Sequence, residues 1–137
     1  MAKEVLRSDQ VWDPAHAGFA HPQPFSQGIR ATGPRWLFIA GQVALDREGR
    51  VVGAGDIRAQ TRQTLENLKA MLEAGGATLA DVVKLTVLVT DMSQFGKVQE
   101  VRAAYWPSEP PASTSVEVSR LVRDGLMVEI DAIAVLD

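Results

Sequence analysis

The last apolar stretch of the chain, residues 127–135, constrains its fold more than any other feature. It reads MVEIDAIAV and places Glu129 and Asp131 in an otherwise apolar run. Because alternate side chains of a β-strand point to opposite faces, residues 128, 130, 132 and 134 share a face without polar groups. We therefore predict a strand whose apolar face belongs to the core. Burying an unpaired carboxylate is costly, so Glu129 and Asp131 must reach solvent, an ion pair or a functional site.

Length and composition are those of an ordinary soluble globular protein. The chain has 137 residues, of which 46% are hydrophobic and 23% charged, so we expect one domain over residues 1–137. It has no cysteine, which excludes disulfides, thiolate nucleophiles and sulfur metal sites. No apolar run is long enough to span a membrane, and the N-terminus lacks a signal-peptide core. We therefore expect a cytoplasmic protein with no membrane partner.

The charge pattern narrows the partners further. The net charge of -3 disfavours nucleic acid as a partner, although ten of the fourteen basic residues are arginines. His16 and His21, with Asp13, match no standard zinc spacing, so we expect no metal. No complete phosphate-binding glycine motif occurs either. We therefore predict a chain without cofactors.

The hydrophobic period alternates between that of strands and that of helices. The predicted strands lie at residues 3–6, 25–31, 36–40, 81–89, 113–118 and 126–135. One predicted helix begins after the N-cap Asp56 and stops at Gly75, and a second begins after Asp91 and ends before Pro107. This order predicts an α+β domain with two helices on one face of a single mixed sheet. Because several strands are apolar on both faces, the uncovered face predicts a homo-oligomer with packed sheets.

Five segments occur in unbroken order between about residue 20 and residue 135. They are PFSQG at 24–28, AGQV at 40–43, DIRAQTRQTLENL at 56–68, DVVKLT at 81–86 and VEIDAIA at 128–134. Together they resemble the Rid family, the reactive intermediate deaminases, also known as YjgF-like or L-PSP endoribonuclease-like proteins. No single segment is specific, but their order and spacing are.

The resemblance implies a chorismate-mutase-like α+β fold, a homotrimer with a barrel-like core, and small-molecule clefts between subunits. The best-known members hydrolyse reactive enamines and imines without a metal or organic cofactor. In them an arginine binds the substrate carboxylate, and a glutamate late in the chain positions water. The resemblance therefore implies a metal-free deaminase or hydrolase, and 2-aminomuconate deaminase is one relative of this kind.

Matched to the family pattern, the late glutamate corresponds to Glu129, with a one-residue insertion between Leu121 and Glu129. The arginine position, which follows a Pro-Ala pair, holds Ser113, so the chain resembles a divergent subgroup without that arginine. Four further positions depart from the pattern: Phe25 for a tyrosine, Ala40 for the serine before Gly41, Gln99 for an asparagine, and Ser115 for a residue that is often cysteine. The resemblance thus implies Glu129 as the catalytic residue and the substrate-binding residues Phe25, Ala40, Gly41, Gln99, Ser113, Thr114 and Ser115.

Loss of a bidentate charged contact in a cleft costs about 2 to 5 kcal/mol of binding. Two groups could take the place of the missing arginine. One is Arg102, which lies one helical turn after Gln99, but we expect it to be a surface or ion-paired residue. The hydroxyls of Ser113, Thr114 and Ser115 are the other, suited to a carbonyl, hydroxyl or amide group, and we favour them.

Three functions remain open. The first is a deaminase or hydrolase with Glu129 positioning water. The second is a non-catalytic ligand-binding or protective trimer. The third is RNA cleavage, which the acidic net charge disfavours.

Overall fold

The computed structural model describes residues 2–10, 13–15 and 23–137. Its elements are β1 (Ala2–Leu6), β2 (Gly28–Thr32), β3 (Arg35–Val43), α1 (Ile57–Ala74), β4 (Val82–Val89), α2 (Phe95–Tyr105), β5 (Ala112–Glu117) and β6 (Val128–Leu136). Short 3₁₀ turns lead into β4 and α2. The predicted α+β order is confirmed. His16 and His21 lie outside the described residues.

Four strands form the main sheet in the order β3-β6-β4-β5. β4 and β5 run parallel, and the other two neighbouring pairs are antiparallel. β1 and β2 form a separate two-stranded ladder, so the predicted single sheet is divided. One isolated bridge joins Ser26 to Ala112 at the β5 edge. The Lys3 ammonium also anchors this ladder, because it donates to the carbonyls of Ala80, Val82 and Glu109.

The observed helix ends agree with the prediction for α1 and differ from it at the start of α2. The Asp56 carboxylate accepts a hydrogen bond from the Ala59 N–H at 3.1 Å, which confirms the predicted N-cap of α1. α1 ends before Gly75, as predicted. Asp91 caps a 3₁₀ turn rather than α2 itself, so α2 begins later than expected, at Phe95.

The core lies between the main sheet and the helices. Val128, Ile130, Ala132 and Ala134 of β6 are buried there, as their alternation predicts. The opposite face of the sheet, which we call the open face, carries Glu129 together with exposed apolar side chains. Trp36 is 54% exposed and Phe38 is 74% exposed. Their rings stack with centroids 6.3 Å apart.

Strand β3 does not end at Gly41, as the sequence suggested, but continues to Val43. Its pairing with β6 shifts between Ile39 and Gln42. Ala40 and Gly41 therefore together lie opposite the single residue Asp131, which is a β-bulge with one extra residue in β3. The bulge lets the strand pass through a glycine without losing its partner.

Candidate functional site

Glu129 lies near the start of β6, with β3 on one side and β4 on the other. Its backbone pairs with Val43 and Leu88, which fixes the position of its side chain on the open face. The carboxylate is half-buried, and no group among the described residues donates a hydrogen bond to it. Burial, and then the charge of Asp131, raise the pKa of Glu129 above its ordinary value. Among the described residues Glu129 is thus a carboxylate without a hydrogen-bond donor, and its proton affinity is increased.

The bulge of β3 lies directly beneath Glu129. A Cβ added to Gly41 would come 2.6 Å from Cδ and 2.8 Å from Cγ of Glu129. Such distances are sterically forbidden, so only glycine admits the observed position of the glutamate. The Gln42 amide donates to the Ala40 carbonyl at 3.0 Å within the bulge. The structure therefore brings together three of the predicted site residues, Glu129, Ala40 and Gly41.

A second group of predicted residues lies where α2 packs on the β5 edge. The Arg102 guanidinium donates to Gln99 Oε1 at 2.6 Å and to Ser113 Oγ at 2.8 Å. It also makes a longer bond, 3.4 Å, to the Pro24 carbonyl, next to Phe25. We call Gln99, Arg102 and Ser113 the guanidinium cluster. Phe25 itself lines a cavity of about 770 Å³ beside β1, and Glu129 does not contribute to that cavity.

Arg102 is not the surface or ion-paired residue that we expected. It is only 1% exposed, because α2 presses this side chain between Pro24 and β5. Within the described part of the chain its Nε has no hydrogen-bond partner, and no acidic group offsets its charge. Burial lowers the pKa of Arg102 to about 10, so the group is still charged at neutral pH. Its place in the fold was the main feature that sequence analysis missed.

The three hydroxyls of β5 do not form one surface. Ser113 and Ser115 pair with Leu85 and Val87, and they point to the helix side of the sheet. Thr114 points to the open face, where its hydroxyl accepts a hydrogen bond from Lys84 at 2.7 Å. The predicted run of three binding hydroxyls is therefore split by strand alternation.

Glu129 and Ser113 do not belong to one site within a single protomer. They point to opposite faces of the sheet, and two strand spacings of about 10 Å in total separate β6 from β5. Each is half-buried and accessible from its own side. The predicted site residues thus form two separate groups on each chain.

The described residues offer no group of three or more histidine, cysteine or acidic side chains that could hold a metal ion. Among the same residues, no helix combines the length and apolarity needed to cross a membrane.

The main sheet is mixed, and two helices cover one of its faces. On the other face Glu129 lies above the Gly41 bulge. This arrangement is that of a YjgF-like, chorismate-mutase-like α+β domain. The model of the family "Endoribonuclease L-PSP" matches residues 17–136. The chain belongs to this family, the Rid/YjgF/L-PSP (RutC) family.

Individual relatives agree with this assignment. The chain is 50% identical to a RutC family protein of Pyrococcus horikoshii over 111 residues, which cover 81% of this chain and 86% of that protein. It is 40% identical to the protein DfrA of Myxococcus xanthus over 135 residues, covering 98% and 97%.

Two solved structures are also similar. The Rid family protein YyfB of Yersinia pestis, described as of unknown function, has a TM-score of 0.88 and 34% identity, covering 99% of this chain and 100% of that chain. RidA of Psychrobacter sp. PAMC 21119 has a TM-score of 0.69 and 33% identity, with coverages of 97% and 99%. These comparisons confirm the resemblance to the Rid family and the predicted fold.

Proposed function

We propose that this protein is a metal-free deaminase that hydrolyses small enamine or imine metabolites, with Glu129 positioning and activating the water. The observation that carries the proposal is the unpartnered, half-buried Glu129 carboxylate fixed above Gly41. Membership of a family that includes such deaminases supports it. A carboxylate without a hydrogen-bond partner among the described residues, with a pKa raised by burial, is typical of a functional site.

The chemistry needs one group that takes and returns a proton. Water adds to the carbon of the C=N bond as the carboxylate accepts a proton from it. The carboxyl group returns that proton to the nitrogen, which gives a carbinolamine. The carboxylate then moves the hydroxyl proton of the carbinolamine to the amino group as the C–N bond breaks, so that an imine and water yield a carbonyl compound and ammonia. A pKa raised above the ordinary value of a glutamate serves both steps, because proton affinity nearer to neutral pH suits an acid and a base in turn.

The proposed active site is completed by a second copy of the chain in a homotrimer. The exposed Trp36 and Phe38 form an apolar patch on the open face, where β3 pairs with residues 133–135 of β6, and this patch favours burial of the face against a neighbour. The guanidinium cluster lies at the β5 edge, the edge strand of the sheet. Packing this edge of one subunit near the open face of the next would unite the two groups of site residues.

The test is ammonia release from freshly generated 2-aminoacrylate and from 2-aminomuconate, measured above the spontaneous rate. We expect release by the wild type and a loss of at least about 100-fold in Glu129→Gln, the usual scale of general acid-base catalysis. Glu73→Gln, a change of the same shape at an exposed position of α1, is the matched control and should leave the rate unchanged. Full activity in Glu129→Gln, or no release by the wild type from either compound, contradicts the proposal.

A second candidate is a ligand-binding trimer that has lost the reaction. The observation that favours it is Ser113, which stands where the family's substrate-binding arginine is expected. Binding of substrate analogues without any ammonia release by the wild type is the result that this alternative predicts. Incubation of the same preparation with single-stranded RNA tests the cleavage that the family description names.

A further inference from the structure

A second carboxylate, Asp131, shares the open face with Glu129. Asp131 lies two residues further along β6, so the Cα atoms of the two residues are about 7 Å apart. Asp131 pairs with Thr86 of β4 on one side and lies opposite the β3 bulge on the other. Both carboxylates are half-buried, and within the described part of the chain neither accepts a hydrogen bond or forms an ion pair. Each of two such charges disfavours ionisation of the other.

The cationic side chains of the main sheet do not neutralise this pair. There are two of them, and Arg35 lies at the far end of β3. Lys84 pairs with Ile133 and is therefore diagonal to Asp131, at a spacing that a lysine side chain can bridge. Its ammonium instead donates to Thr114 Oγ1 at 2.7 Å, on β5 and so on the side away from β6. Thr114 thus holds the nearer positive charge away from the two carboxylates.

The other elements around the pair bring no counter-charge to it. β3 presents only apolar or small residues beside Asp131. β2 contacts β6, but its charged residue, Arg30, is paired with Glu4 at 2.8 Å. Glu117 of β5 lies on the helix side of the sheet, where it accepts from the Met92 N–H at 2.9 Å. The helices cover the opposite face, so the negative charge of the pair is left unmatched by the described residues.

We propose that Asp131 is a positioning residue, whose negative charge makes Glu129 the carboxylate of the pair that takes up a proton. Thr114 preserves this arrangement because it retains Lys84. The inference rests on the proposed function, in which Glu129 accepts a proton from water. Two close carboxylates without a counter-charge favour the uptake of one proton. Burial first, and then the charge of Asp131, raise the pKa of Glu129, which agrees with this role.

The first test is the pH dependence of ammonia release from 2-aminoacrylate by Asp131→Asn, corrected for the spontaneous rate at each pH. Without the second charge Glu129 is a weaker base, so kcat/KM should fall roughly twofold to tenfold on its high-pH plateau. The acid limb should move to lower pH, so the ratio of variant to wild-type kcat/KM should rise as pH falls. Asp131→Glu keeps the charge and should keep the wild-type limb. Asp124→Asn, the same change at an exposed position before β6, is the matched control and should leave the profile unchanged.

Thr114→Val tests the hydrogen bond that holds Lys84. This exposed substitution removes the acceptor, so the ammonium can pair with Asp131 and should move the acid limb to lower pH as well. The same change should have no further effect in the Asp131→Asn or Lys84→Met background, because the effect needs both charges. A wild-type profile in Thr114→Val overturns the role of this hydrogen bond.

The carboxyl ¹³C resonance of Glu129, assigned by its loss in Glu129→Gln, reports its titration without turnover. It should titrate at lower pH in Asp131→Asn than in the wild type. An unchanged titration overturns the inference, and so does a loss of kcat/KM by the same factor at every pH, which indicates a purely structural role. Ammonia release with an unchanged titration leaves the proposed function standing without this inference. A shifted titration without ammonia release keeps the charge pair and removes the proposed function.

Discussion

At the scale of single residues, the position of Glu129 depends on the absence of a side chain at Gly41. A Cβ there would lie 2.6 Å from Cδ of Glu129, so the glutamate would have to move. We expect Gly41→Ala to reduce ammonia release at least about tenfold, because small misplacements of a catalytic group are costly. Steady-state kinetics on 2-aminoacrylate provide the measurement.

Gly96→Ala is the control for this glycine change. A Cβ at Gly96 meets nothing within 4 Å, and alanine is the better helix former in α2. It should leave the kinetics unchanged and raise stability by up to about 1 kcal/mol. Equal rates in Gly41→Ala and wild type would show that the bulge does not position Glu129.

The raised pKa of Glu129 predicts an acid limit to activity. Only the ionised carboxylate can accept a proton from water, so kcat/KM should fall as pH drops through this raised pKa, above the range of an ordinary glutamate. A pH-rate profile should show this limb in the wild type and lack it in the residual activity of Glu129→Gln. If kcat/KM falls at the same pH in both proteins, the group that titrates is not Glu129.

The same shift has a consequence for stability. A carboxyl whose pKa is raised on folding binds protons more readily in the folded state, so its ionisation lowers the free energy of unfolding as pH rises through that window. Glu129→Gln should therefore be at least as stable as the wild type near neutral pH. The difference should shrink below the ordinary pKa of glutamate, where both states are protonated. Urea unfolding across this pH range measures it.

At the scale of elements, the buried Gln60 joins α1 to the start of β6. Its amide donates to the carbonyls of Gly53 and Gly125, and its Oε1 accepts from the Met127 N–H. Gln60→Met leaves these partly buried backbone groups without the Gln60 partner, so we expect a loss of at least about 2 kcal/mol in the free energy of unfolding. Met127 lies two residues before Glu129, so ammonia release should fall as well.

Lys69→Met, an exposed substitution on the same helix, is the control for Gln60→Met. Denaturant unfolding should place Lys69→Met within about 0.5 kcal/mol of the wild type. If Gln60→Met is equally stable, the junction is held by packing alone.

At the scale of the whole molecule, the open face is the surface that most needs a partner. Phe38 is 74% exposed and lies opposite Ile133 in the sheet register. A charge within the exposed patch of Trp36 and Phe38 should prevent its burial, so Phe38→Glu should yield monomers in sedimentation velocity and lose ammonia release together with assembly.

Val122→Glu is the control for assembly, because Val122 is 82% exposed in the loop before β6. It should sediment like the wild type. A trimeric Phe38→Glu protein, or a monomeric wild type, contradicts the proposed arrangement of the site.

The sequence by itself determined features that depend on near neighbours in the chain. The alternation in residues 127–135 identified the core face of β6, because side-chain direction in a strand is set by the backbone alone. The N-cap at Asp56 and the end of α1 before Gly75 could also be predicted, because capping depends on the residues at the helix ends themselves. The α+β order and the resemblance to the Rid family followed from such local signals and their spacing.

Only the tertiary structure decided where distant segments meet. It placed Arg102 against Ser113 and Pro24, turned Thr114 away from its neighbouring serines, and put Gly41 in a bulge under Glu129. Each of these depends on strand register and on how a helix packs on a sheet edge, which are long-range properties that no local pattern encodes. Burial of Arg102 in particular arises from three segments converging on one side chain, so its charge became informative only once its surroundings were known.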